Sequence, residues 1–237
     1  METITVSNIK IDVVKKDIKN LHLAVYPPTG RVRIAAPLQT NDEAIRLFAV
    51  SKIGWIRRHQ RTFEAQERET TKEFVSGESH YFNGRRYLLK VIEHDALPKV
   101  ELCHRKIELY VRTGSTTKQR ATVLNNWFRE QLKNQIPELI GKWERTMNVK
   151  LNDWQVKQMK TKWGTCNIEA KRIWLNLDLA KKPTRCLEYI IVHEMVHLLE
   201  THHNDNFVAY MDKFFPQWKS CKKELNNLPV SHSDWNY

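Results

Sequence analysis

A chain of 237 residues, 41% hydrophobic and 10% aromatic, can bury a real core in one large domain or two small ones. With 28% charged residues and a net charge of +12, it either favours anionic partners, nucleic acid first, or carries a solvated basic surface. Its four cysteines, Cys103, Cys166, Cys186 and Cys221, include no C-x-x-C pair, which argues against a zinc ribbon or a disulfide framework and suits a reducing compartment.

The first residues, METITVSNIKIDVVKKDIK, contain no apolar signal run, so a soluble cytoplasmic protein is expected. Residues 1–38 read as strands. ITVSNIKIDVVKK and LHLAVYPPTGRVRIAAP are β-branched and partly alternating, PPTG reads as a hairpin turn, and Pro37 ends the run. From Asn41, a helix cap, Ile45, Phe48, Ile53 and Ile56 recur at helical spacing, and one long helix is predicted with a charged tail from Arg57 to Lys72. Its RRHQR segment is either a phosphate-facing patch or a solvated helix end. Residues 74–113 return to strand patterns, with Asn83-Gly84 as a hairpin turn and Gly114 closing the region.

A second long helix is predicted from about Thr117 to Met147. Its apolar stripe is Trp127, Phe128, Leu132, Ile136, Leu139, Ile140 and Trp143, and Pro137 is a potential kink. WQVKQMKTKWGTCNIEAKRIWLNLDLA reads as two strands joined near Ile168 to Lys171. Pro183 suits the first turn of the next helix, and a final helix is expected from about Asp205 to Leu228. Trp154, Trp174, Trp218 and Trp235 are expected in core or interface positions. The tail SHSDWNY is expected to be loose, with His232 a bystander.

The informative segment is YIIVHEMVHLLETHHNDNF. Tyr189, Ile190, Ile191, Val192, Met195, Val196, Leu198 and Leu199 make it apolar nearly all round, and at this length it is far too short to cross a bilayer. Polar groups in such a helix must be hydrogen-bonded or bind something. His193 and His197 are four apart, so both imidazoles can face one ion, while Glu194 is turned about 100° away, beside that ion rather than among its ligands. This is the H-E-x-x-H pattern of zinc proteases. An open catalytic site needs a third ligand. His203, six residues beyond His197, has the spacing seen in the metzincin string, although Glu200 stands where that string has glycine. His202 and Glu200 are the other candidates, His202 also as a substrate-facing residue.

The residues from about Lys157 to Asn226 resemble the YgjP-like group of SprT-related zinc metallopeptidases. The resemblance is carried by Trp163-Gly164-Thr165-Cys166, Ile173-Trp174-Leu175-Asn176, His193 to His197 and His203 to Phe207, in that order, and more loosely by RVRIAAP, WIRRH and NGRRYLL. Thr165 replaces the usual serine, and Asn204-Asp205 a common Ser-Pro pair. The resemblance implies an α+β, zincin-like fold in which a small twisted sheet packs on the site helix and a supporting helix. It implies His203 as third ligand, one Zn2+, and peptide-bond hydrolysis with Glu194 as general base.

We therefore expect a β-rich N-terminal region over 1–115 with one long helix, and a zincin-like metallopeptidase domain over 116–237. Trp163, Trp174 and His202 are expected to contact substrate, through an extended peptide pairing with the strand Ile173 to Asn176. Trp163 and Cys166 have packing alternatives, and Cys166 is also a candidate inhibitory ligand. Related SprT-like and WLM proteases act on proteins crosslinked to DNA, so the basic chain is a candidate to act on nucleic-acid-associated proteins. The competing expectation is a basic nucleic-acid-binding protein with a structural metal site. Substrate, oligomeric state and the role of the N-terminal region are not legible.

Overall fold

The alternating residues of the first 37 positions pair into one four-stranded sheet. In the computed structural model, which describes residues 2–26, 29–65, 72–159 and 162–227, these strands are β1 (Glu2–Val6), β2 (Ile9–Lys16), β3 (His22–Tyr26) and β4 (Arg31–Pro37). Their order is β1-β2-β4-β3, parallel only between β2 and β4. Ile9, Ile11, Val13, Val32, Ile34 and Ala36 alternate onto one face. There they bury Ile45 and Ala49 of α1 (Asp42–Ser51) and Ile56 of α2 (Ile53–Ala65). Asn41 caps α1, its side chain accepting from Ala44 N at 2.8 Å.

The single long helix expected here is instead two. The break is at Lys52 (φ −106°, ψ 2°), where Ser51 Oγ bonds back to the Phe48 carbonyl and Gly54 follows. Arg57, Arg58 and Arg61 of the RRHQR segment are exposed on α2. Pro27 and Pro28 of the PPTG turn, residues 66–71 of the charged tail, and the C-terminal segment with Leu228, His232 and Trp235 lie outside the described residues.

The described residues form two units, one within 1–67 and one within 68–233. The boundary expected near residue 115 falls inside the second unit. The reason is that β5 (Ser79–Phe82), β6 (Arg85–Glu93), β7 (Lys99–Cys103) and β8 (Lys106–Val111) share one core with the helices that follow. This sheet has the order β5-β6-β8-β7, with β6 and β8 parallel. Asn83 (φ 47°) and Gly84 (φ 76°) make the two-residue hairpin turn read from the sequence. That turn also docks: Asn83 N and Gly84 N donate to the carbonyls of Ala180 and Lys181 at 2.9 and 3.1 Å.

The long helix α3 (Thr117–Met147) begins at a Thr116–Gln119 capping box and ends at left-handed Asn148. It continues through Pro137 and buries Leu124, Phe128, Leu132, Ile136, Ile140, Trp143 and Met147, with Trp127 and Leu139 packed beside them. Beyond α3, three strands form rather than two: β9 (Asp153–Lys157), β10 (Gly164–Asn167) and β11 (Arg172–Asn176), ordered β10-β11-β9. β11 pairs antiparallel with β10 and parallel with β9, so Ile173 to Asn176 is the central strand. The expectation that a peptide pairs with β11 is thereby corrected, since both of its edges are occupied. The outer strand nearer the H-E-x-x-H helix is β10, whose Gly164 touches Glu194.

LDLA forms a 3₁₀ turn at Leu177–Lys181, and Pro183 directly precedes α4 (Thr184–Val196). The last helix is split into α5 (Asp205–Phe214) and α6 (Trp218–Asn227), because Pro216 lacks an N–H and Phe215 turns extended (φ −137°, ψ 69°). Among the described residues no helix is long and apolar enough to cross a membrane.

Candidate metal centre

Helix α4 is apolar on most of its surface because, beyond the exposed Thr184 and Arg185 of its first turn, most of it is buried. Cys186, Leu187, Ile190, Ile191, Val192, Met195 and Val196 lie in the core against α3, β10, β11 and α6. His193 and His197 are one turn apart at its C-terminal end, with His197 as the C-cap residue. A turn over 197–199 and bends over 201–204 bring the chain round so that Asn204, whose side chain accepts from Phe207 N at 3.0 Å, starts α5 and sets His203 opposite them.

His193, His197 and His203 offer nitrogens that all lie within 4.8 Å of one another. The ring centroids are 5.2 Å (193–197), 4.9 Å (193–203) and 4.7 Å (197–203) apart, and His193 Nε2 and His203 Nε2 face each other at 3.0 Å. Two imidazole nitrogens on one tetrahedral zinc would be about 3.3 Å apart, so the donor set fits such an ion. Phe207 packs against all three rings, its centroid 5.0, 4.9 and 4.6 Å away, and restrains their tilt.

Electrostatics favour neutral, lone-pair-bearing rings. Burial, then the neighbouring His197 and His203 and Lys222, push the His193 pKa down to about 3. Burial also lowers that of His197. The Glu200 carbonyl lies 3.2 Å from His197 Nδ1; since a carbonyl only accepts, Nδ1 carries the hydrogen and Nε2 is left to bind.

Glu194 points to the other flank of the helix, toward β10, and is 5% exposed. A Cβ placed on Gly164 would sit 2.7 Å from Glu194 Oε1, 2.8 Å from its Cγ and 2.9 Å from Ile190 Cγ2. Glycine is thus required where the strand backbone lies on the carboxylate. Burial raises the Glu194 pKa to about 8, with Lys162 opposing, which is the direction a proton-accepting carboxylate needs. A cleft of about 240 Å³ runs past it, lined by Trp163, Gly164, Tyr189, His193 and Glu194 together with Lys162 and Lys222.

Of the residues singled out for substrate contact, Trp163 lines this cleft, whereas Trp174 lines a different cavity on the far face of the sheet. His202 is exposed, its N–H donates to Glu200 Oε1 at 3.2 Å, and it stands outside the imidazole cluster. Cys166 is half-buried and its thiol is pushed up to about 11, first by burial and then by the Glu194 charge. No sulfur joins the three imidazoles among the described residues.

Two structural roles were hidden in the sequence. Asn176 holds the segment entering β10: its Nδ2 donates to the carbonyls of Met159 and Lys162 at 2.9 and 2.8 Å, and its backbone N to Trp163 O at 2.9 Å. Lys222 reaches the cleft from α6 with no motif to announce it.

Residues 19–228 match a family model described as YgjP-like, metallopeptidase domain. No curated protein sequence matches the chain. Among solved structures, the metallopeptidase zymogen of Pyrococcus abyssi abylysin is similar over 38% of this chain and 90% of its own, at 17% identity and a TM-score of 0.36.

Proposed function

Because the chain belongs to the YgjP-like metallopeptidase family, we propose that it is a zinc-dependent peptidase in which His193, His197 and His203 hold one ion and Glu194 is the general base. The observation that carries this is the pairing of three convergent imidazoles with a buried carboxylate held against Gly164. When bound, zinc supplies Lewis-acid polarisation of the scissile carbonyl and a more acidic water. The rest is done by the chain. The Glu200 carbonyl orients His197, and Phe207 sets the three rings. Glu194 takes the water proton on its carboxylate and returns it to the leaving amine nitrogen. Its site behind Gly164 and Ile190 keeps bulk water from levelling its basicity.

The substrate in this proposal is an extended peptide that pairs with the outer edge of β10, in place of β11, and passes Trp163 in the cleft. The three-stranded sheet over α4, with α3 as supporting helix, suits a zincin-like architecture. The competing function, a nucleic-acid binder with a structural metal, calls for a closed site with a fourth ligand. Among the described residues only three side chains converge on the site, which favours an open, catalytic one. The test is cleavage of a peptide mixture by zinc-loaded wild type and Glu194→Gln. The variant is expected to retain metal and lose about 10²–10⁴-fold in rate; equal cleavage by both would remove Glu194 from the mechanism.

A further inference from the structure

A second cavity, of about 440 Å³, opens over the β10–β11 hairpin, lined by Thr165, Asn167, Glu169, Arg172 and Trp174 with Cys166 and Ile168. Strand pairing puts Thr165 opposite Trp174 and Asn167 opposite Arg172. These four therefore share one face, opposite to buried Ile173 and Leu175. Arg172 Nε and Trp174 Nε1 are buried atoms without a hydrogen-bond partner. Both are donors only, so each calls for an acceptor. Buried donors are normally paired, and these two belong to residues at alternate outward positions of one strand that both line one cavity, so an acceptor admitted there by a shift of the covering side chains would satisfy them.

The charge around them selects its kind. Lys157 Nζ stands 3.2 Å from the Trp174 ring centroid and the Arg172 guanidinium 4.9 Å from it. Asp153, across from Arg172 on β9, is engaged by Gln155 Nε2 at 3.2 Å. None of the ion pairs among the described residues uses Arg172. Among the described residues Glu169 is the one carboxylate lining the cavity, and it is exposed. Two N–H donors, one of them on the Arg172 cation, with Lys157 as a second cation beside them, suit a carboxylate.

The cavity is linked to the metal centre by β10. Gly164 lies on Glu194, and Asn167, three residues along, is about 10 Å away at roughly 3.3 Å per residue. A peptide antiparallel to β10, with the residue opposite Gly164 giving the scissile carbonyl, runs N-terminally toward Asn167. Its residues one and three places before the scissile one then face outward beside Thr165 and Asn167. We propose that this cavity is a specificity site that binds an acidic substrate side chain at one of those two positions through Arg172 and Trp174. It rests on the peptidase function proposed above.

The test uses the full-length, zinc-loaded protein. Cleavage sites in a peptide mixture are mapped by mass spectrometry, and peptides with Glu or Gln at each position before the cut are then compared by kcat/KM. A Glu-over-Gln preference of about 10-fold is expected at the first or third position before the scissile residue, the size of one hydrogen bond to a charged group. That ratio is expected to fall to about one in Arg172→Gln and to shrink in Trp174→Phe, which keeps an aromatic ring, smaller than the indole, and removes the N–H. A ratio near one throughout in the wild type overturns the proposal, and so does a preference that survives both substitutions. Calorimetric binding of the same peptides to the zinc-loaded Glu194→Gln protein separates the two proposals. Acid-selective binding without wild-type cleavage sinks the peptidase function and keeps the site, whereas binding blind to the acid sinks the site. If a single-stranded oligonucleotide competes with the acidic peptide and binds more tightly, with that binding lost in Arg172→Gln, the cavity is a phosphate site and the proposal fails.

Discussion

Gly164→Ala puts the contact between β10 and the site helix to the test with one methyl group. The added Cβ meets Glu194 Oε1 at 2.7 Å, Glu194 Cγ at 2.8 Å and Ile190 Cγ2 at 2.9 Å. Oε1 alone could swing aside. Cγ and the Ile190 Cγ2 methyl are each anchored one bond from Cβ on a stretch of helix whose residues Tyr189 to Val192 are buried, so strand or carboxylate must shift. Overpacking of this kind costs about 1–3 kcal/mol of folding stability. Displacing the base by a sizeable fraction of an ångström costs about 100-fold in rate. The three imidazoles are not touched, so the metal should stay. The assay is urea unfolding, zinc content and peptide cleavage on one preparation. The expected result is a modest loss of stability, unchanged zinc and cleavage down about 100-fold. Gly54→Ala is the control: nothing lies within 4 Å of its Cβ on α2, and it is expected to stabilise by about 0.5–1 kcal/mol with cleavage unchanged. Wild-type cleavage by Gly164→Ala would refute the reasoning, because the carboxylate would then be either loosely held or idle.

Asn176→Ala strips the Met159 and Lys162 carbonyls and Asp178 N of their partner in a site where Asn176 is 5% exposed; a loss of about 2–3 kcal/mol in urea unfolding is expected, with weakened cleavage as β10 loosens. His80, on β5 and outside the imidazole cluster, supplies a pH signature of its own. Burial lowers its pKa against the opposing hydrogen bond and charge of Glu78, with Lys72 and Lys181 adding to the lowering. The unfolded chain therefore takes up the proton first, near pH 6.5, and the stability present above that pH is lost as the pH falls toward the folded value. Relative to His80→Gln, the wild type is expected to lose up to about 1.4 kcal/mol per pH unit below 6.5 in denaturant titrations. A constant difference between the two across that range would contradict it.

The imidazole cluster was legible because its information is local: His193 and His197 share a helical face by spacing alone, and six residues bring His203 back. The Asn83-Gly84 turn and the α3 stripe were legible for the same reason. What escaped was pairing at a distance. Nothing in WQVKQ says that β9 lies parallel to β11 across the whole hairpin, yet that pairing makes β10, rather than β11, an outer strand. Likewise, the shared core of β5–β8 with α3 and α4 is a long-range packing fact that moves the unit boundary to about residue 67. Two helix breaks had local causes that the apolar period masked: Pro216 between α5 and α6, and the Ser51-Lys52 turn before Gly54. Gly164 and Asn176 belong to recognised motifs, but their work against Glu194 and the β10 entry depends on contacts between segments separated in the chain.

The most direct measurement is zinc bound per chain after exhaustive dialysis, for the wild type and for His203→Ala. About one ion per wild-type chain is expected, with the variant retaining little, since an open site held by three ligands does not survive on two. A wild type that binds no zinc from saturating solution, or a variant that binds it as tightly as the wild type, would contradict the three-imidazole centre.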